Sequence, residues 1–378
     1  MKRIAFSGTL DPITNGHLWV IGEARALADE VVVFISENPF KKPLFPAAQR
    51  KTIVEQSLAQ RGWGNVSVVI VRGDYTARAA KRQGIDYLIR GIRNTTDFDY
   101  ENLLQQANVD VVEGAKTLFV MPPRDLGSVS SSFVRGLQGP VGWHWSMKKF
   151  VPGPAYTAWT LGWLRKEWEQ LWNYAALDSA ALTNADHWFT HLTGDKAYGA
   201  TNRSYHNLDH LVHGLTELAV WSANTDTDGP SLASLKAAFW FHDAVYDVPK
   251  RGVSNEEASA QLWLAAGLPS EKPSAVADLI RMTDHAQQHA LEHPHKQVLL
   301  GADLAILGQS AAVYTTYTQA VRSEYAWVEE SAYRAGRKAV LHHFLAAAKA
   351  GTLYPDPYFK ALYEAMAISN LEREIADL

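Results

Sequence analysis

The stretch SGTLDPITNGH, from Ser7 to His17, gathers two Gly, a Pro, a Thr pair and a His directly behind the strand-like KRIAF. Gly8 ends that strand and lets the backbone come close to a ligand. Asp11-Pro12 begins a turn, and Thr14 or Asn15 caps a helix starting near Gly16-His17. His17 then stands in a first helical turn, where free N–H groups and the helix dipole favour an anion. An imidazole there donates a hydrogen bond to a phosphate oxygen. The plain alternative is a capping turn with an incidental His.

The second half carries different chemistry in RSYHNLDHLVHG, FWFHDAVYD and GADLAILG. Adjacent His242-Asp243, joined by an upstream His and a downstream Asp from other helices, lets four ligands converge inside a bundle. Imidazole and carboxylate suit Mg²⁺, Mn²⁺, Fe²⁺ or Zn²⁺. A metal held so polarises a phosphoryl oxygen and acidifies a water, and neighbouring carboxylates orient the imidazoles. A lone His-Asp pair is frequent by chance; the ordered set is not.

Two kinds of scaffold must position these residues. Up to about Pro154, short apolar runs (RIAFSG, EVVVFIS, VSVVIV, DYLIRG, KTLFVMP) alternate with helical patterns such as GHLWVIGEARALA. That alternation predicts parallel βαβ units with ligands at the carboxyl ends of the strands. Beyond it come helical segments, including TLGWLRKEWEQLW and KAVLHHFLAAAKAG, without convincing strands. The Trp and Leu stripe of WLRKEWEQLW reads as helix packing. The Gly- and Pro-rich GPVGWHWSMKKFVPGPAY marks the boundary. The expected architecture is α/β plus all-α, with domains at residues 1–160 and 161–378.

Composition agrees with this division, because 378 residues exceed one ordinary core. A net charge of -4 supplies no basic footprint, so nucleic acid is not an expected partner. Cys is absent, which excludes disulfides and thiolate metal sites. No apolar run approaches the ~20 residues of a bilayer span, and Gly, Asp and Pro interrupt any signal core near the N-terminus. The expectation is a cytoplasmic protein with no membrane partner.

GTLDPITNGH resembles the nucleotidyltransferase motif that closes on Gly-His. With ENPFKKPLF, LIRGIRNTTDFDYE and SVSSSFVR in the same order, residues 1–160 resemble bacterial phosphopantetheine adenylyltransferase. The resemblance implies a Rossmann-like nucleotidyltransferase domain. It implies AMP transfer from ATP to 4'-phosphopantetheine, giving dephospho-CoA and pyrophosphate in coenzyme A biosynthesis, with Mg²⁺ carried on ATP. It further implies that Thr9 and His17 bind the reacting phosphates, and that Lys41 binds the phosphopantetheine phosphate and the developing charge. Arg90 would hold phosphopantetheine, Gly91 and Arg93 would contact ATP, and Glu101 would bind ATP on its adenosine side. Leu126, Gly127, Ser128, Val129, Ser130, Ser131 and Ser132 would hold the ATP phosphates. Thr76 lies where the pantetheine arm is contacted. A homo-oligomer is expected. Leu10, Leu126, Gly127 and Ser128 depart from the family's usual residues. Another phosphate acceptor, such as nicotinamide mononucleotide, is the alternative, and LIRGIR with DFDYE argues against it.

YHNLDHL, WFHDAVYD, SNEEASA, DLAILG and SEYAWV resemble the HD metal-dependent phosphohydrolase superfamily. That implies a divalent metal (Mn, Fe, Zn or Mg) on His210, His242, Asp243 and Asp303, with His206 competing with His210 for the first position. His285 is a candidate for a substrate phosphate or a second metal, and Glu256 for the pocket. The alternative is a non-catalytic binding or oligomerisation module.

Overall fold

The computed structural model describes residues 1–37, 42–112, 115–247, 252–284 and 293–378. It divides the chain into two compact units, Met1–Trp159 and Thr160–Leu378.

The first unit holds one parallel sheet. Its strands are β1 (Arg3–Gly8), β2 (Glu30–Ser36), β3 (Val66–Val71), β4 (Tyr87–Gly91) and β5 (Lys116–Val120), in the order β3-β2-β1-β4-β5. Every pairing is parallel: Phe6 opposes Val33 on one side and Ile89 on the other. Residues Val31 to Ile35 of β2 are all buried, as expected for a strand covered on both faces. Ala5, Val32, Phe34, Val71 and Leu88 pack in one cluster with Ala79, Ala80 and Ile85. The helices are α1 (Asn15–Leu27), α2 (Ala47–Gln60), α3 (Thr76–Arg82), α4 (Thr95–Val112), α5 (Ser131–Gly136) and α6 (Trp143–Lys148). The sheet is therefore Rossmann-like.

The strand order decides where a ligand goes. From β1 the chain builds β2 and β3 on one side, then returns to place β4 and β5 on the other. The crevice beyond the ends of β1 and β4 is the switch point of such a sheet. Gly8 and Gly91 close these two strands. A Cβ on Gly91 would lie 2.9 Å from Val20 Cγ2, so glycine permits the close approach of β4 to α1.

The division between units falls inside α7 (Gly153–Leu171). The second unit continues with α8 (Ser179–Thr193), α9 (Leu208–Ala223), α10 (Gly229–Phe241), α11 (Asn255–Ala266) and α12 (Pro273–Arg281). Then follow α13 (Lys296–Leu304), α14 (Ala311–Glu324), α15 (Glu330–Lys349) and α16 (Pro357–Asp377). No strand occurs among its described residues. The aromatic stripe forms its core: Trp168 is fully buried, with the Trp240 ring 4.9 Å away edge-on and Trp172 at 5.3 Å. Among the described residues no single helix is long and apolar enough to cross a membrane.

One contact in this unit has direct consequences for chemistry. A Cβ on Gly214 would stand 1.8 Å from Phe239 Cζ. Gly214 lies one turn beyond His210 on α9, and Phe239 lies three residues before His242 at the end of α10. The missing side chain lets the two helices approach at the level of the two histidines.

Candidate functional site

The first unit has a cavity of about 540 Å³ at the switch point. The β1–α1 turn forms one wall. Thr14 is the N-cap of α1 and closes a reciprocal box with His17. The His17 backbone N–H donates to Thr14 Oγ1 at 3.4 Å, and the Thr14 backbone N–H donates to His17 Nδ1 at 3.0 Å. Nδ1 is thus an acceptor. The neutral ring carries its proton on Nε2, the tautomer that donates to an anion in the cavity.

Burial, aided by the nearby Arg93, lowers the His17 pKa from 6.5 to about 4. His17 is therefore neutral at physiological pH and acts as a hydrogen-bond donor rather than a cation. The folded value lies below the unfolded one. As pH falls from 6.5 toward 4, the unfolded chain takes up a proton that the folded chain refuses, so stability declines through that window. An NMR titration of the His17 ring should show its midpoint near 4. A midpoint at the ordinary histidine value would remove this assignment.

Fixed cations line the same space. Arg90 Nε lies 3.2 Å from Glu101 Oε2, and Arg90 Nη1 donates to the Ser7 carbonyl. Arg93 is forked onto Asp97 at 2.7 and 3.2 Å. Both guanidiniums are held in place before any ligand arrives. The Glu101 carboxylate faces the cavity already partnered by Arg90.

The loop behind His17 is braced by residues that the motif reading passed over. Asp11 is buried and accepts from the backbone N–H groups of Leu44, at 2.7 Å, and Phe45, at 3.0 Å. Arg135 on α5 donates to the Asp11 carbonyl at 2.6 Å. Buried Arg50 donates to the carbonyls of Phe45 and Thr9. The useful signal for Asp11 and Arg135 was position, since each lies inside a stretch singled out for other residues.

Most of the expected residues meet on one surface. Thr9, His17, Arg90, Gly91, Arg93 and Glu101 line the cavity, together with Leu126, Val129, Ser130, Ser131 and Ser132. Ser130 caps α5, and Ser131 Oγ donates to the Pro12 carbonyl at 2.8 Å. Three expected residues are not among those that line the cavity. Thr76 is off the wall: it opens α3, and its Oγ1 lies 3.2 Å from Ser36 Oγ. Gly127 and Ser128 belong to the turn between Pro123 and Val129 that precedes α5, between Leu126 and Val129, which do line the cavity. Lys41 lies outside the described residues. Its neighbour Lys42 is on the wall.

The second unit brings four side chains together from three elements. His210 comes from α9, His242-Asp243 from the end of α10, and Asp303 from α13. The two Nε2 atoms are 3.0 Å apart. Asp243 Oδ2 is 3.5 Å from His210 Nε2 and 3.1 Å from His242 Nε2. Asp303 Oδ1 is 3.4 Å from each. His210, His242 and Asp303 bring two nitrogens and a carboxylate oxygen within 4.8 Å of one another, a donor set that suits a divalent metal, and Asp243 Oδ2 lies beside both nitrogens.

The surroundings set the histidine protonation. His242 Nδ1 lies 2.8 Å from the Phe239 carbonyl, which only accepts, so Nδ1 carries a proton. Burial opposes a charge on the ring, but Asp243 and Asp303 outweigh it and raise the His242 pKa, so Nε2 also holds a proton that it would give up to a cation. Arg203 braces the turn by donating to the carbonyls of Asp243, at 2.6 Å, and Ala244, at 2.9 Å. Burial opposes ionisation of Asp243, but His242 and His206 outweigh it and hold this carboxyl well below its usual range. Burial and the neighbouring His242 lower the His210 pKa to about 3.

His206 takes a different place from His210. Its Nδ1 lies 2.7 Å from Glu324 Oε2, its ring stacks on Tyr246 at 4.0 Å, and it faces an adjoining cavity. Glu256 lines that cavity too. His285 lies outside the described residues.

A family model described as cytidylyltransferase-like matches residues 5–137. The phosphopantetheine adenylyltransferase of Chromobacterium violaceum is 36% identical over 156 residues, covering 41% of this chain and 94% of that protein. The phosphopantetheine adenylyltransferase of Neisseria meningitidis serogroup C is 33% identical over 155 residues, 41% of this chain and 90% of that one. That of Histophilus somni is 39% identical over 137 residues, 36% of this chain and 85% of that one.

Proposed function

Because the chain belongs, through the part it shares with these relatives, to the phosphopantetheine adenylyltransferase family, we propose that its first unit makes dephospho-CoA from ATP and 4'-phosphopantetheine. A phosphate oxygen of phosphopantetheine attacks the α-phosphorus of ATP in line. The new P–O bond forms as the bond to the β-phosphate oxygen breaks, and pyrophosphate leaves with that electron pair. The attacking phosphate is already anionic, so the site needs no strong base. It needs fixed donors and cations where charge builds on the equatorial oxygens.

The observation that carries this reading is the tautomer of His17. Its Nδ1 is committed to Thr14, which leaves the Nε2 proton for a phosphate oxygen at the switch point. Arg90 and Arg93 supply charge, with Arg suited to forked contacts on phosphate. Ser130 and Ser132 supply hydroxyl donors, while the Ser131 hydroxyl is held by the Pro12 carbonyl. Mg²⁺ bound to the ATP phosphates neutralises part of their charge.

The second unit is read as a metal-dependent phosphohydrolase. His210, His242, Asp243 and Asp303 would hold one divalent cation, which supplies Lewis acidity and positive charge beside a phosphoryl group. Hydrolysis adds water to phosphorus and breaks the ester P–O bond, giving an alcohol and inorganic phosphate. The convergence of His210, His242 and Asp303, with the Asp243 carboxylate within 3.5 Å of both histidine nitrogens, supports this reading over a purely structural module.

The test is mass analysis of products from the full chain given ATP with phosphopantetheine or with nicotinamide mononucleotide. Dephospho-CoA and pyrophosphate in equal amounts are expected from the first pair. A product from the mononucleotide alone would transfer the assignment to another acceptor.

A further inference from the structure

The cavity beside the His/Asp cluster is large, at about 590 Å³, and its chemistry is uneven. At one end stand His242, Asp243 and Asp303. Tyrosine rings and aliphatic side chains make up much of the remaining wall. Tyr205, Tyr246, Tyr317, Tyr325 and Tyr333 all face it, with Leu304, Ile306, Val321 and Phe344 between and beyond them. Several of these rings are fixed by each other: Tyr205 meets Tyr317 edge-on at 4.7 Å, and Tyr246 lies against His206. Preset aromatic faces suit a flat, uncharged body.

The charges on the wall argue against a chain of phosphates. Among the described residues lining the cavity, Arg337 is the one Lys or Arg, against the carboxylates of Asp243, Glu256, Asp284 and Asp303. The Arg337 guanidinium is already engaged. It donates to both Glu374 oxygens, at 2.7 and 3.1 Å, and to the Tyr317 hydroxyl at 3.2 Å. A divalent cation at the cluster would balance one phosphate. Further phosphates would find no unengaged guanidinium or ammonium on the described wall, and the His206 imidazole there is already paired with Glu324.

The mouth of the cavity shows the same preference. Ala332, Gly336 and Val340 follow one another at every fourth residue of α15 and are exposed along the opening. Val340 keeps 46% of its surface in solvent. Gly336 sits mid-helix, where glycine is unfavourable, and a Cβ there would meet no atom within 4 Å. Its absence widens the entrance at an apolar spot.

We propose that the second unit takes phosphate monoesters whose ester group is an apolar, ring-bearing body, with the phosphate at the His/Asp cluster and the ring among the tyrosines. This rests on the hydrolase reading of that cluster and narrows it to one substrate class.

The experiment is calorimetric titration of the Mn²⁺-loaded full chain with 1-naphthyl phosphate, 1-naphthyl diphosphate and methyl phosphate, with phosphate release followed in the same samples. 1-Naphthyl phosphate should bind at least about tenfold tighter than either of the others, the scale on which an apolar pocket discriminates. Gly336→Leu fills the open space at the mouth and favours the helix. It should lower the preference for naphthyl over methyl phosphate about tenfold without lowering Tm. Ala332→Leu, one turn away, serves the same purpose if Gly336→Leu folds poorly. Equal affinity for methyl phosphate or the diphosphate, no binding of 1-naphthyl phosphate, or an unchanged preference in a folded variant overturns the proposal. Tight, Leu-sensitive binding without phosphate release keeps the ligand class and removes the hydrolase reading instead. Equal release from naphthyl and methyl phosphate keeps the hydrolase and removes the ring preference.

Discussion

His17→Asn should lower kcat for adenylyl transfer by about 10²–10³-fold, the usual loss for one donor aimed at transition-state charge. The substitution separates two jobs of the ring. The Asn Oδ1 stands near the place of Nδ1 and can accept from the Thr14 N–H, so the N-terminal box of α1 survives. The donor that occupied Nε2 is gone. Tm should therefore stay near the wild-type value while kcat collapses. His17→Ala loses both the donor and the cap. It should show the same loss of rate and a further destabilisation of about 1 kcal/mol. KM for ATP should change far less than kcat, because the donor matters most where charge develops. A His17→Asn enzyme with near-normal kcat would show that the ring is only a cap.

Asp243→Ala should abolish the response of the second unit to metal. In the wild type, Mn²⁺ at about one hundred times Kd adds roughly 2.7 kcal/mol of stability. For a unit of this size that is an upward shift of about 5–10 °C in its melting transition, reversed by chelation. Asp243 places a carboxylate oxygen beside both histidine nitrogens and is the negative charge nearest His242. Losing a partner outside the ligand set commonly costs 10–100-fold in metal affinity, so losing a ligand should cost about 100-fold or more. Calorimetry and the melting shift both read this without a substrate. Dephospho-CoA synthesis should proceed at the wild-type rate in this variant. If a folded Asp243→Ala chain lost transfer as well, the two sites would be coupled. If it kept the full metal shift, Asp243 would not be a ligand.

These two variants sit at opposite ends of what could be read in the linear chain. The alternation of β-branched runs with helical patterns determined a parallel sheet in the first unit, because strands buried on both faces must be apolar throughout. The Thr-Pro-Gly-His turn located the phosphate-facing helix start, because cap and turn preferences are local. The His-Asp pair and its flanking helices carried the second cluster for the same reason: each residue's immediate neighbours announce its element.

Tertiary structure decided what local rules cannot. Only the strand order places Arg90 and Glu101 opposite His17, since β4 joins β1 from the far side of the sheet. Asp11 and Arg135 form a brace across 124 residues that no spacing rule links. The preference for His210 over His206 rests in the sequence only on the apolar helical pattern LVHGLTEL that follows it. In the fold, Glu324, 118 residues on, pairs with His206, while Gly214 lets Phe239 in and His242 comes to within 3.0 Å of His210. Sequence determines such contacts only through packing, because the free energy that selects them is shared among residues far apart along the chain.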